Sequence, residues 1–214
     1  WLVAMAISAI PIYLSGHYAS YLDSCFEMMS GYATTGLSLA SDLDSMAYAH
    51  NFWRHFTMFI GGQGIVVIAL TFLFRGTAGA FRIYAGEARD EKILPNVIHT
   101  ARFIWLVSLV YMALGTTALS ISAMAGGLAP GKAIFDSLCI FMAAWDTGGF
   151  TPQSQNILFY HNFTFEMITV VIMTLGAINF ALHYVVWTGN RRELYRNIEI
   201  VTLFISMVVT LSIT

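Results

Sequence analysis

Charge is scarce in this sequence. Asp, Glu, Lys and Arg make up 10% of the 214 residues, against 57% hydrophobic residues and a mean hydropathy of +0.69. A soluble domain carries roughly 25% charged residues to face water, so the composition argues against an ordinary soluble fold and leaves a soluble all-α bundle as the plainer alternative. The few charges gather between long apolar runs, which is the pattern of a polytopic membrane protein. A net charge of −2 offers no basic stripe to neutralise phosphates, so nucleic acid is excluded as a partner. Cysteine is scarce as well. Cys25 and Cys139 are the two present, and they suit neither a zinc site nor a disulfide framework, which leaves them as buried packing residues. No nucleotide fingerprint occurs, because Gly61-Gly62-Gln63-Gly64 lies inside an apolar run and follows no strand. Those glycines, like Gly176-Ala177, are read as positions of close helix approach. No cofactor and no covalent chemistry are implied, so an enzyme is not expected.

The apolar runs set the organisation. Residues 52–74, 103–124 and 163–187 are each long enough for the ~20 residues that cross a bilayer. Residues 138–144 are too short, and with a similar unit before Gly36 they read as segments that enter the membrane and return. The apolar stretches 1–14 and 198–214 also fall short of a span, so the chain is expected to be a piece of a longer protein. Eight of the ten basic residues, Arg75, Arg82, Arg89, Lys92, Arg102, Arg191, Arg192 and Arg196, lie in two loops on one side, which is therefore the cytoplasmic side. Segments 15–51 and 126–162 hold Asp23, Glu27, Asp42, Asp44, Asp136 and Asp146 against the single base Lys132. They are expected outside, as an acidic mouth that concentrates cations. Arg54 and His55, near the outer end of the first full span, are expected to snorkel to the interface. Asn179 and His183, four residues apart, are expected on one face of the third span.

One unit occurs twice. Leu22 to Ser38 reads LDSCFEMMSGYATTGLS, and Phe135 to Thr151 reads FDSLCIFMAAWDTGGFT, aligning without a gap at an offset of 113. Asp23 meets Asp136, Ser24 meets Ser137, Met29 meets Met142, Thr34 meets Thr147 and Gly36 meets Gly149. After each loop a glycine follows at nearly the same distance, Gly62 in the first unit and Gly176 in the second. Ser20 with Asp23 resembles a capping box and Pro130 suits a first helical turn, so each unit starts as a short helix. The chain is then expected to run extended through Tyr32-Ala33-Thr34-Thr35-Gly36 and Trp145-Asp146-Thr147-Gly148-Gly149. Bare backbone at membrane depth is tolerated where it lines a watery cavity, and backbone carbonyls there replace the hydration shell of a cation without adding a trapping charge. Tyr32 and Trp145, just before the loops, are expected to wedge them against neighbouring helices. Two ordinary glycine helix caps are the plainer reading of the same triplets.

At these residues the sequence resembles the Trk/Ktr/HKT superfamily of K⁺ transporters, Trk-type pore-forming subunits above all. FEMMSGYATTGLS is similar to that family's first pore loop, FIGGQGIVVIAL to the helix after it, EARDEKILPNVIHTAR to its linker, WDTGGFTP to its second filter loop and GAINFALHY to the helix that follows. The resemblance implies an all-α polytopic membrane protein of repeated helix, re-entrant pore loop, helix units, two of an expected four around one pore. Residues 1–98 would be the first repeat and linker, 99–190 the second, and 191–214 the start of a third. It implies K⁺ uptake, with Na⁺ as the second cation, and ion binding at Ala33, Thr34, Thr35, Gly36, Asp146, Thr147, Gly148 and Gly149. One glycine per repeat, Gly36 and Gly149, would line the narrowest part. Asp146 departs from the family pattern, where a neutral residue is usual, and either tunes selectivity or caps the pore helix. The remaining strands would come from the rest of the chain or a second subunit. The expected assembly is a homodimer in the cell's inner membrane, with a cytoplasmic nucleotide-binding subunit docked on the basic side. A dimeric two-loop channel, and a proton-coupled carrier using Asp146, His183 and Glu166, remain the alternatives.

Overall fold

In the computed structural model, residues 1–74, 97–189 and 197–213 are described, and among them every regular element is helical. The basic linker at 75–96 and the basic cluster at 191–196 lie outside the described residues. The order is α1 (Leu2–Leu14), α2 (Tyr21–Tyr32), α3 (Tyr48–Phe74), α4 (Val97–Ala125), α5 (Pro130–Trp145), a 3₁₀ turn (Asn156–Tyr160), α6 (Phe163–Ala177), α7 (Phe180–Trp187) and α8 (Ile198–Ile213). Residues Ala101–Ala125 within α4 are long and apolar enough to cross a membrane.

The two short helices form as their sequences require. Ser20 caps α2, its hydroxyl accepting from the Asp23 amide at 3.1 Å. Pro130 occupies the first turn of α5, where its missing N–H costs nothing. The expected third span is not one helix. It breaks after Ala177, and α7 restarts with Asn179 as its N-cap, at φ −58 and ψ 134, the side chain accepting from the Ala181 amide at 3.0 Å. Asn179 therefore shares no helix face with His183; a short polar side chain that can bond the backbone has started a new helix instead.

The chain divides into two compact units. One comprises Trp1–Ile68 and Ser108–Ala177 and holds both short helices and both Thr/Gly loops. Its first half is cored by Ala9, Ile12, Tyr18, Cys25, Met28 and Met46. Its two halves meet where Met58 of α3 packs on Ala143 and Phe150. Both cysteines are buried and free, as expected. Phe141 of α5 lies so close to Gly115 of α4 that a Cβ there would overlap its ring. The other unit, Ala69–Val107 and Ile178–Thr214, packs Phe103 edge-on against Tyr184, with ring centroids 5.1 Å apart.

Candidate ion-pathway loops

Both short helices end in the same way. After α2, the amides of Ala33, Thr34 and Thr35 donate to Met29, Gly31 and Ser30 at 2.8, 2.9 and 2.8 Å. After α5, those of Asp146, Thr147 and Gly148 donate to Met142, Ala144 and Ala143 at 3.4, 3.1 and 2.8 Å. This is a Schellman ending, which needs a left-handed residue just beyond the cap. Glycine usually fills that position. Here it is threonine, at φ 49 in Thr34 and φ 51 in Thr147, an unfavourable conformation for a β-branched side chain. Two residues on, Gly36 and Gly149 take φ 78 and φ 89. The sequence repeat at an offset of 113 is thus a backbone repeat, strained at the same positions.

The loops also meet. A Cβ on Gly36 would overlap the Gly148 carbonyl and crowd the Gly149 backbone. Gly148 in turn lies against the Met58 thioether. Thr34 is half-buried, whereas Ala33, Thr35, Thr147 and Gly149 are exposed along the loops.

Behind the loops, Tyr32 and Trp145 are each held against a neighbouring helix. Tyr32 shares a hydrogen bond with Ser8 at 2.7 Å and stacks on Trp1, with centroids 5.2 Å apart. Trp145 donates to Ser108 at 3.1 Å and stacks on Tyr111 at 5.0 Å. Ser108 donates to Gln63 Oε1 at 3.1 Å, and Gln63 donates to Asp146 Oδ1 at 3.0 Å. Asp146 is therefore both the cap residue of α5 and an acceptor for the helix of the other repeat. Sequence reading grouped Gln63 with its glycine neighbours and missed this link.

The paired glycines need a correction of one residue. Gly61, not Gly62, is the counterpart of Gly176: a Cβ on Gly61 would overlap the Tyr32 backbone, and one on Gly176 the Trp145 backbone. Gly62 faces the Asp146 carboxylate instead. Backbone cannot yield as a side-chain tip can. Gly61→Ala and Gly176→Ala should each cost roughly 1–3 kcal/mol of stability as overpacking changes. Gly62→Ala should cost less while breaking the Gln63 to Asp146 bond, an order that thermal unfolding in detergent will read.

The acidic mouth is smaller than expected. Glu27 and Asp136 have no exposed surface. Arg54 and His55 do not snorkel; both are fully buried. For Arg54 the reason is an ion pair, Nε to Glu27 Oε1 at 2.7 Å, which removes the charges of Arg54 and Glu27 from the surface. A helical stripe carried this information: Asn51, Arg54, His55 and Met58 follow the i, i+3, i+4, i+7 spacing of a buried face, as Ser24, Glu27, Met28 and Gly31 do on α2. His55 Nδ1 lies 2.7 Å from the Asn51 carbonyl within that stripe. Asp136 has Lys132 at 3.7 Å as its ion-pair partner.

Asp42 and Asp44, both exposed, are each tied to a serine. Asp44 accepts from the Ser154 amide at 2.9 Å and from its hydroxyl, which holds the carboxyl below its usual range and joins the segments following the two loops. Asp42 is held low in the same manner by the Ser45 hydroxyl.

With this geometry established, known proteins supply the frame. The family model described as cation transport protein, TrkH, matches residues 1–208. The chain belongs to the TrkH family. An uncharacterized cation transporter of Methanocaldococcus jannaschii is 34% identical over 216 residues, covering 99% of this chain and 43% of that protein. The Trk system potassium uptake protein TrkG of Escherichia coli K12 is 29% identical over 206 residues, 94% of this chain and 41% of its own length. Among solved structures, that of the potassium transporter TrkH from Vibrio parahaemolyticus superposes with a TM-score of 0.70 at 25% identity, covering 96% of this chain and 40% of that one. This TrkH-family chain thus spans about two fifths of the length of the relatives it matches, and the all-α membrane-transporter fold is theirs.

Proposed function

We propose that the complete protein takes up K⁺ across the cell membrane, and that the carbonyls of Ala33 to Gly36 and of Asp146 to Gly149 form two strands of its selectivity filter. The observation that carries the reading is the duplicated loop itself: two segments end a helix with the same amide pattern, take left-handed backbone at the same two positions, and touch. Ordinary helix caps have no reason to meet one another. The family, and relatives named for potassium uptake, support K⁺ as the cation. Residues 1–98 and 99–190 are then two repeats, and further strands are needed to close a ring. The threonine at each left-handed position adds a hydroxyl where the path begins, and the wedged aromatics hold its width.

The test is uptake. The complete gene product, expressed in a host lacking its own K⁺ uptake systems, should restore growth at low external K⁺ and accumulate radioactive rubidium. Failure of both, with the protein present in the membrane fraction, overturns the reading.

A further inference from the structure

We propose that Glu27 and Arg54 are positioning residues that set the spacing of both loops together, and through it the preference for K⁺ over Na⁺. The proposal rests on reading the loops as filter strands. Glu27 receives the Leu39 amide on Oε2 at 2.9 Å, and the Ser38 hydroxyl on Oε1 at 2.9 Å, so the chain leaving the first loop is pinned to its own helix. Arg54 holds the same carboxylate at 2.7 Å through Nε and reaches Ser38 at 3.2 Å through a second nitrogen. Its third nitrogen donates to Asn51 at 3.0 Å and to the Thr151 carbonyl at 3.5 Å, and its Cζ lies 4.5 Å above the Phe150 ring. Asn51 completes the contact by donating to the Pro152 carbonyl at 3.0 Å. One guanidinium therefore touches the exit of both loops, and both charges have no exposed surface.

The second repeat carries no Glu/Arg pair at the matching positions. The 113-residue offset puts Ile140 opposite Glu27. The matching contacts of Gly61 and Gly176 put Thr169 opposite Arg54, and among the described residues Thr169 bonds within α6, to the Phe165 carbonyl at 2.9 Å. The tether on the Thr151 and Pro152 carbonyls of the second loop thus comes from the first repeat. Arginine suits the task because its planar fork serves several acceptors at fixed angles; a lysine keeps the charge without the fork.

Two variants of the complete protein test the idea. Arg54→Lys retains the ion pair and loses the span. Glu27→Ile/Arg54→Met fills the same space with apolar atoms and, like the second repeat, carries no charge. Both should still accumulate rubidium, with the ratio of K⁺ to Na⁺ uptake lowered about tenfold. Hydrogen exchange followed by mass spectrometry should rise at least tenfold in peptides covering 37–41 and 150–155 together, with a peptide from 108–125 unchanged. Exchange that rises at one loop only, or an unchanged uptake ratio in either variant, overturns the proposal. The exchange measurement does not depend on transport, so if the wild type moves no K⁺ the tether is still decided while the uptake reading fails. If the double variant does not accumulate, Arg54→Lys carries both readouts.

Discussion

Gly36→Ser is expected to lower K⁺ uptake by roughly 100-fold, and Gly149→Ser by clearly less. Both positions are left-handed, which costs an L-residue about 1–2 kcal/mol. At Gly36 there is a second term. The new Cβ meets the Gly148 carbonyl and the Gly149 backbone, so one loop can accommodate it only by displacing the other, and a displaced carbonyl is a lost ligand. Nothing described lies within 4 Å of a Cβ on Gly149. A rise of about 2–3 kcal/mol in the transport barrier corresponds to the 100-fold figure. Rubidium uptake at matched membrane expression measures it. Wild-type uptake in Gly36→Ser would mean that the carbonyls of these loops do not carry the ion.

Arg54→Ala is the substitution expected to damage folding most. Removing one partner of a buried pair strands the other charge, at a cost of about 3–5 kcal/mol. Glu27 would be left inside α2 with the Ser38 hydroxyl and Leu39 amide as its remaining donors. Glu27→Ala should be similarly harmful, leaving the Arg54 guanidinium buried. The two losses should not add, because a double apolar replacement removes both stranded charges at once. The check is the fraction of protein that stays monodisperse in detergent on heating, across both single variants and the double. Additive losses would mean that the two residues are stabilised independently of each other.

The sequence made the repeat legible because a duplicated loop leaves a duplicated residue pattern. Thr34 with Thr147 and Gly36 with Gly149 carry the strained backbone, and strain of that kind restricts which residues fit. Ser20 and Pro130 were legible as helix starts for a similar local reason. Glu27 and Arg54 were misread because composition treats a charge as a surface group, although their helical spacing placed each on a buried face. Pairing across 27 residues is a tertiary event, and hydropathy along the chain does not register it. The break at Asn179 was hidden by the opposite error. Residues 163–187 are apolar enough for one span, and only a single capping side chain signals the interruption. Gly62 was matched to Gly176 by counting along the chain, whereas contact with the preceding aromatic backbone selects Gly61.

The way the two short helices end has a further consequence, for ions of the other sign. The amides at 33–35 and at 146–148 are all turned back onto helix carbonyls. Chloride is bound in proteins mainly by N–H groups, and at these positions it would find none to spare. What those residues still offer from the backbone is lone pairs. On the proposed reading of the loops as filter strands, this main-chain hydrogen bonding disfavours an anion at the foot of each loop independently of the carboxylates nearby.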